Sequence, residues 1–109
     1  MSLHLATCTT RRLAICISRN TEALLTYVQV IFGIMNEPHD MPTSLVLKDD
    51  QAAINGIRAS GAKQLIIAPG NGYTGGHAWT QSSQGDEPSA DYLYKLHDPL
   101  NNTALDIHE

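Results

Sequence analysis

Cysteine, tryptophan and phenylalanine are scarce in this chain: two, one and one in 109 residues. Cys8 and Cys16 lack Cys-x-x-Cys spacing, and no histidine pairs with them at zinc-site distances. Neither a zinc site nor a dithiol centre is expected, and no cofactor or metal is called for. Positive charge is short as well, with seven Lys and Arg against eleven Asp and Glu. Without a basic stripe, a nucleic-acid partner is not expected. No apolar run approaches the ~20 residues that cross a bilayer, which argues against a membrane partner. Arg11 and Arg12 split the apolar residues of the amino-terminal segment, and no clear small-residue cleavage site follows. No signal peptide is recognisable there. The length allows one small domain at most.

What the chain does have is Val30-Ile31-Phe32-Gly33-Ile34-Met35-Asn36-Glu37-Pro38. A continuous apolar run of this length reads as a strand buried on both faces. Pro38 cannot donate to a ladder and holds Glu37 extended. The strand is expected over Val30–Asn36, with Asn36 and Glu37 at its carboxyl end. In parallel α/β sheets and barrels that end carries the active site. A carboxyl there suits general acid/base work. The plainer alternative is that Asn36 and Glu37 only cap a strand and start a turn.

Around this strand the rest falls into order. Thr21 to Val28 suits a short helix capped by Thr21. Pro38 to Ser44 is a loop, and His39 in it is close enough to Glu37 to line a site, or is a solvated loop residue. Asp49 to Ser60 reads as a helix, with Asp49 and Asp50 at its positive end, Ala53, Ile54 and Ile57 on one face and Gly61 after it. Gln64 to Ala68 is a second buried strand, stopped by Pro69. Gly70 to Gly75 then matches G-x-G-x-x-G, yet Gly76 to Gln84 lacks the apolar helix that a dinucleotide site requires. Trp79 is either a stacking platform for a sugar ring or the residue that packs its loop down, and Tyr73 faces the same choice. Ser89 to His97 suits a short helix capped by Ser89, and Thr103 to His108 begins a third strand.

The stretch Ile31 to His39 closely resembles the fourth strand of glycoside hydrolase family 5, of the fungal endo-β-1,4-glucanase (cellulase) type. The similarity covers residues 29–109; residues 1–28 do not resemble the family and form a separate amino-terminal segment, an extension or a misjoined exon. The resemblance implies an α/β fold, here a partial TIM (β/α)8 barrel of about three parallel strands with connecting helices, since a whole barrel needs ~200 residues or more. It covers roughly the fourth to sixth barrel strands. Glu37 takes the place of the acid/base and Asn36 that of its sugar-binding neighbour. His39, Trp79 and His108 join them as substrate-binding residues, His108 fitting the histidine of the sixth strand. The implied function is retaining hydrolysis of β-1,4 bonds in cellulose or related glucans, a polysaccharide substrate met outside the cell. The family's nucleophile comes from the seventh strand, so the chain alone is expected to be inactive. Two alternatives stand beside this: a non-catalytic sugar-binding remnant, and a nucleotide-binding α/β module built on Gly70 to Gly75.

Overall fold

The computed structural model describes residues 2–4, 30–82 and 87–109. Four parallel strands form one sheet in chain order: β1 (Ser2–His4), β2 (Ile31–Gly33), β3 (Ile66–Pro69) and β4 (Thr103–Asp106). Parallel strands laid side by side in chain order make a barrel wall, whereas a doubly wound sheet reverses its order partway. The three strands expected from the sequence are β2, β3 and β4. The fourth, β1, lies in the segment set apart as 1–28 and pairs Leu3 with Phe32. The helix expected near Thr21 lies outside the described residues.

The strands are shorter than their apolar runs. β2 leaves the ladder after Ile34, whose N–H donates to Ile67 O at 3.1 Å. Asn36 sits in a bend, its carbonyl accepting the Thr74 hydroxyl at 3.0 Å. The chain therefore turns out of the sheet before Pro38 rather than at it. Pro69, expected to stop β3, is its last residue, in register with Asp106. The amides of Ile66 and Ile34 show why. Ile66 N–H points to β4, so odd-numbered β3 residues face β2, and at Pro69 β2 has already departed. A missing N–H on that side costs no ladder bond.

The helix α1 (Thr43–Ala59) begins six residues before the expected start. Pro42 O accepts the amides of Leu45 and Val46, and proline's fixed φ suits the first turn. Asp49 and Asp50 thus lie mid-helix, and the inward stripe is Thr43, Val46, Asp50, Ala53, Ile54 and Ile57. The two polar members hide the stripe's first half in the sequence. Ile54 and Ile57 share one core cluster with Phe32 of β2, with Ile34 just after that strand, and with Ile66 and Ala68 of β3. Burying each large side chain of this group contributes about 1.5–3 kcal/mol. The helix ends where expected, with Gly61 at φ 92°, a value that a side chain would strain.

The last helix, α2, covers Ala90–Leu93 rather than Ser89–His97, and Ser89 makes no side-chain cap. Its hydroxyl instead accepts the amide of Asn71 at 2.9 Å. Below α2, Arg58 from the last turn of α1 reaches Asp98 in the turn before β4. This ion pair ties helix, β3 entry and β4 entry together at the amino-terminal edge of the sheet.

Candidate active site

Three segments meet at the carboxyl edge of the sheet: residues 36–41 after β2, residues 70–79 after β3, and residues 106–108 at the end of β4. The middle segment is built first. Gly72, Tyr73 and Thr74 are consecutive residues with φ of 60°, 60° and 58°. For a tyrosine and a β-branched threonine this backbone is costly, about 1–3 kcal/mol each. Five contacts hold it. Tyr73 N–H donates to Pro38 O at 3.0 Å, Gly75 N–H to Gly72 O at 3.1 Å, and His108 N–H to Thr74 O at 2.8 Å. The buried Thr74 hydroxyl lies 3.0 Å from Asn36 O and 3.2 Å from Gly70 O. The strained turn therefore locks the end of β2 to the end of β3.

The turn also sets the wall of a cleft. Tyr73 stacks on His39, with ring centroids 4.2 Å apart and planes 12° apart. His39 Nδ1 lies 2.7 Å from Asp40 Oδ2. These two rings, with Asn36, Glu37, Met35 and Met41, line an open cleft of about 390 Å³. From below, buried Asn71 donates to Met41 O at 2.8 Å and to the Thr43 hydroxyl at 2.9 Å, which holds the floor against α1.

Glu37 is the one carboxylate among the described lining residues. Its Oε1 lies 2.8 Å from His108 Nδ1. The other ring nitrogen, Nε2, lies 3.0 Å from Asp106 Oδ2. His108 is brought there because β4 continues past Asp106 to pair with the turn: Gly75 and His108 form a parallel bridge, and Gly76 N–H donates to His108 O at 2.8 Å. The hydrogen bond to Glu37 raises the His108 pKa above the ordinary histidine value; desolvation opposes this, and Asp106 adds to the rise. The imidazole points at two carboxylates on opposite sides, so the three groups do not converge on one point. Among the described residues no group of three or more such side chains is set to hold a metal ion.

Of the five residues expected at a site, the structure brings four together: Asn36, Glu37 and His39 in the cleft and His108 against Glu37. Trp79 is elsewhere. It is half-buried, and a Cβ added to Gly70 would meet its Cζ3 at 2.5 Å. Its ring covers the Gly70 backbone beside Ser89, and it is not among the cleft's lining residues. Tyr73 takes the aromatic position at the cleft instead. Its place depends on the left-handed turn, which nothing but Gly72 announces in the sequence. Asp106 was not singled out from sequence, although its Asp-x-His spacing puts both side chains on one face of a strand.

The glycine pattern is occupied from within. The amides of Asn71, Tyr73, Gly75 and Gly76 all donate inside the chain. Trp79 fills the approach to Gly70, and Gly76–Ala78 is a three-residue 3-10 turn rather than a long helix. A phosphate cradle needs free amides at the start of a helix. With no reversal in the order of the described strands, they form no crevice for a dinucleotide either.

Comparison with known proteins agrees with this geometry. A family model, Cellulase (glycosyl hydrolase family 5), matches residues 22–109. Endoglucanase 1 of Robillarda sp. (strain Y-20) is 63% identical over 81 residues, which are 74% of this chain and 20% of that protein. Endo-beta-1,4-glucanase B of Emericella nidulans is 44% identical over 85 residues, 73% of this chain and 26% of that protein. Among solved structures, XacCel5A in complex with cellopentaose superposes with a TM-score of 0.82 at 38% identity, covering 89% of this chain and 31% of that one. Cel5A from Hypocrea jecorina superposes with a TM-score of 0.73 at 30% identity, covering 89% of this chain and 29% of that one. The chain thus spans about a fifth to a quarter of the two endoglucanase sequences it matches.

Proposed function

Because this chain belongs to the cellulase family, glycosyl hydrolase family 5, we propose that it carries the acid/base half of a retaining endo-β-1,4-glucanase site, with Glu37 as the proton donor. The observation that carries this reading is the placement of Glu37. Its carboxyl lies at the mouth of a cleft at the carboxyl edge of a parallel sheet, bonded to an imidazole and flanked by Asn36. A glycosidic oxygen leaves poorly as an alkoxide. A carboxyl that hands it a proton as the bond breaks, and then takes one from the incoming water, serves both steps of a retaining reaction. The exposed Asn36 is in reach of a sugar hydroxyl in the same cleft. The stacked Tyr73 and His39 rings present a flat face to the C–H side of a pyranose. Trp79, packed on Gly70, supports this wall rather than forming it.

A retaining reaction also needs a carboxylate nucleophile ~5–5.5 Å from the acid/base. Asp106 does not suit that part, because His108 stands between it and Glu37. The nucleophile belongs to a strand that follows β4 in a complete barrel. The family match begins at residue 22, so only residues 1–21 stay apart from the family region in this reading, and an insoluble polymer substrate places the work outside the cell.

The test compares the chain with its Glu37→Gln variant on carboxymethylcellulose and on an aryl cellobioside. Alone, the two should be equally inert. Joined to the strands that complete the barrel, the unsubstituted chain should hydrolyse both, and Glu37→Gln should lose more on the polysaccharide, whose leaving group needs the proton. Equal polysaccharide hydrolysis by both in the complete barrel would remove Glu37 from the role. A second reading, a sugar-binding surface without catalysis, has the same ring wall in its favour. It predicts cello-oligosaccharide binding that survives Glu37→Gln and falls with Tyr73→Ala.

A further inference from the structure

The ring of His108 makes two carboxylate contacts, and only one of them belongs to the proton donor. We propose that Asp106 is a positioning residue: by holding Nε2 of His108 it aims Nδ1 at Glu37 and so fixes the proton donor in the cleft. This rests on the reading of Glu37 as the acid/base.

Asp106 and His108 are two apart on an extended chain, so their side chains share a face. Asp106 is the last residue of β4, in register with Pro69, and its backbone is held by the ladder. His108 is held by its own backbone as well, between Thr74 O and Gly76 N–H. With the backbone fixed, what is left free is the rotation of the imidazole. One contact at 2.8 Å to Glu37 leaves that rotation to a side chain that is 40% exposed. The second, at 3.0 Å to Asp106, makes the ring a strut between a strand end and a loop end. A histidine bonded at both nitrogens by carboxylates has one stable orientation, because a ring flip would set carbon against each oxygen.

The groups around the ring are few. Glu37 comes from the segment after β2, and Asp106 and the exposed Glu109 come from β4 and its extension. The segment after β3 meets His108 through backbone, and of its titratable side chains His77 lies over Gly75 and Tyr73 stacks on His39. Both carboxylate contacts favour the imidazolium and so raise the His108 pKa above the ordinary histidine value, against desolvation.

A double-variant cycle read by NMR on the 109-residue chain separates aiming from simple charge. The quantity is the titration midpoint of His108, followed at its ring Cε1. Glu37→Gln should lower the midpoint in the unsubstituted chain. If Asp106 aims the ring, the same Glu37→Gln change should shift it much less in an Asp106→Ala background, because the ring no longer faces residue 37. Asp106→Asn keeps an acceptor and removes the charge, so it should lower the midpoint yet preserve most of the response to Glu37→Gln. An equal response to Glu37→Gln with and without Asp106 would overturn the proposal. So would a His108 that titrates like a free histidine in the unsubstituted chain. No substrate enters this measurement. A complete barrel that stays active with Glu37→Gln would sink the assignment of the acid/base and leave the aiming of His108 to be judged by the cycle alone.

Discussion

Breaking the ion pair between Arg58 and Asp98 should cost this small fold a large part of its stability. The side chains are 6% and 4% exposed. The guanidinium uses all of its N–H groups: Nε and Nη2 fork onto the two Asp98 oxygens at 2.8 Å, Nη1 reaches Ala62 O and Gln64 O, and Nη2 also reaches Asn102 O. Asp98 is equally engaged, accepting from the amides of Leu100 and Asn102 and from the Thr103 hydroxyl. Arg58→Met removes one charge and leaves a buried carboxylate and three carbonyls short of donors. Removing one partner of such a pair costs about 3–5 kcal/mol, against a total stability of about 5–15 kcal/mol for a single domain. Asp98→Asn should cost a similar amount. The double variant should cost clearly less than the sum, because the second change removes a group already orphaned. Urea unfolding at neutral pH, followed by far-UV circular dichroism, gives the three values.

Acid supplies an independent check on the same pair. Arg58 beside Asp98 holds its carboxyl far below the usual carboxylate range; desolvation opposes this, and the bonds from Leu100, Thr103 and Asn102 add to it. A depressed folded pKa contributes stability that is present above the unfolded value of ~3.9 and is lost as pH falls toward the folded one. The gap between the unsubstituted chain and Arg58→Met should therefore narrow on acidification below about pH 4. A loss under about 1 kcal/mol for Arg58→Met, additive single changes, or a gap that does not narrow in acid would each refute the reasoning.

Two further outcomes follow from buried polar groups. Asp50 is 2% exposed in the inward stripe of α1, and its Oδ2 has no hydrogen-bond partner among the described residues. Burial, with Asp49 adding to it, pushes its pKa well above the usual carboxylate value. The sign is opposite to that of Asp98: stability is fully present below ~3.9 and is lost as pH rises through the raised folded value. Asp50→Asn should thus flatten this fall and stabilise the chain near neutral pH by about 1–3 kcal/mol, read as a higher urea midpoint at pH 7 than at pH 4 relative to the unsubstituted chain; an unchanged pH profile would exclude Asp50 as its source. Thr74→Val keeps shape and branching but removes the hydroxyl that joins Asn36 O and Gly70 O. It should cost about 1–2 kcal/mol and weaken the His39–Tyr73 stacking, seen as smaller ring-current shifts of the His39 protons; intact ring shifts would show that the turn holds without it.

The sequence by itself marked three of the four described strands and the sheet edge that carries Glu37. Two apolar runs, ending in Asn-Glu-Pro and Ala-Pro-Gly, read as buried strands, because a segment covered on both faces has no alternation to show; the third, Thr103 to His108, was legible from its resemblance to the family's sixth strand and is largely exposed. Their resemblance to one family then placed Glu37, Asn36, His39 and His108 at one end. Helix starts were less legible. Thr43 and Asp50 sit in the buried stripe of α1, so its polar members looked like a loop and a charged first turn. The tertiary structure alone decided which aromatic ring faces the cleft. Tyr73 and Trp79 are alike in local sequence, but a left-handed turn held by Pro38, Asn36 and His108 sends Tyr73 to His39, while Gly70 leaves room that only the larger ring fills. It also decided that His108 touches Glu37 and Asp106 at once. Contacts between residues 71 positions apart depend on strand register and on where each strand leaves the ladder, and neither is written in any one stretch of the chain.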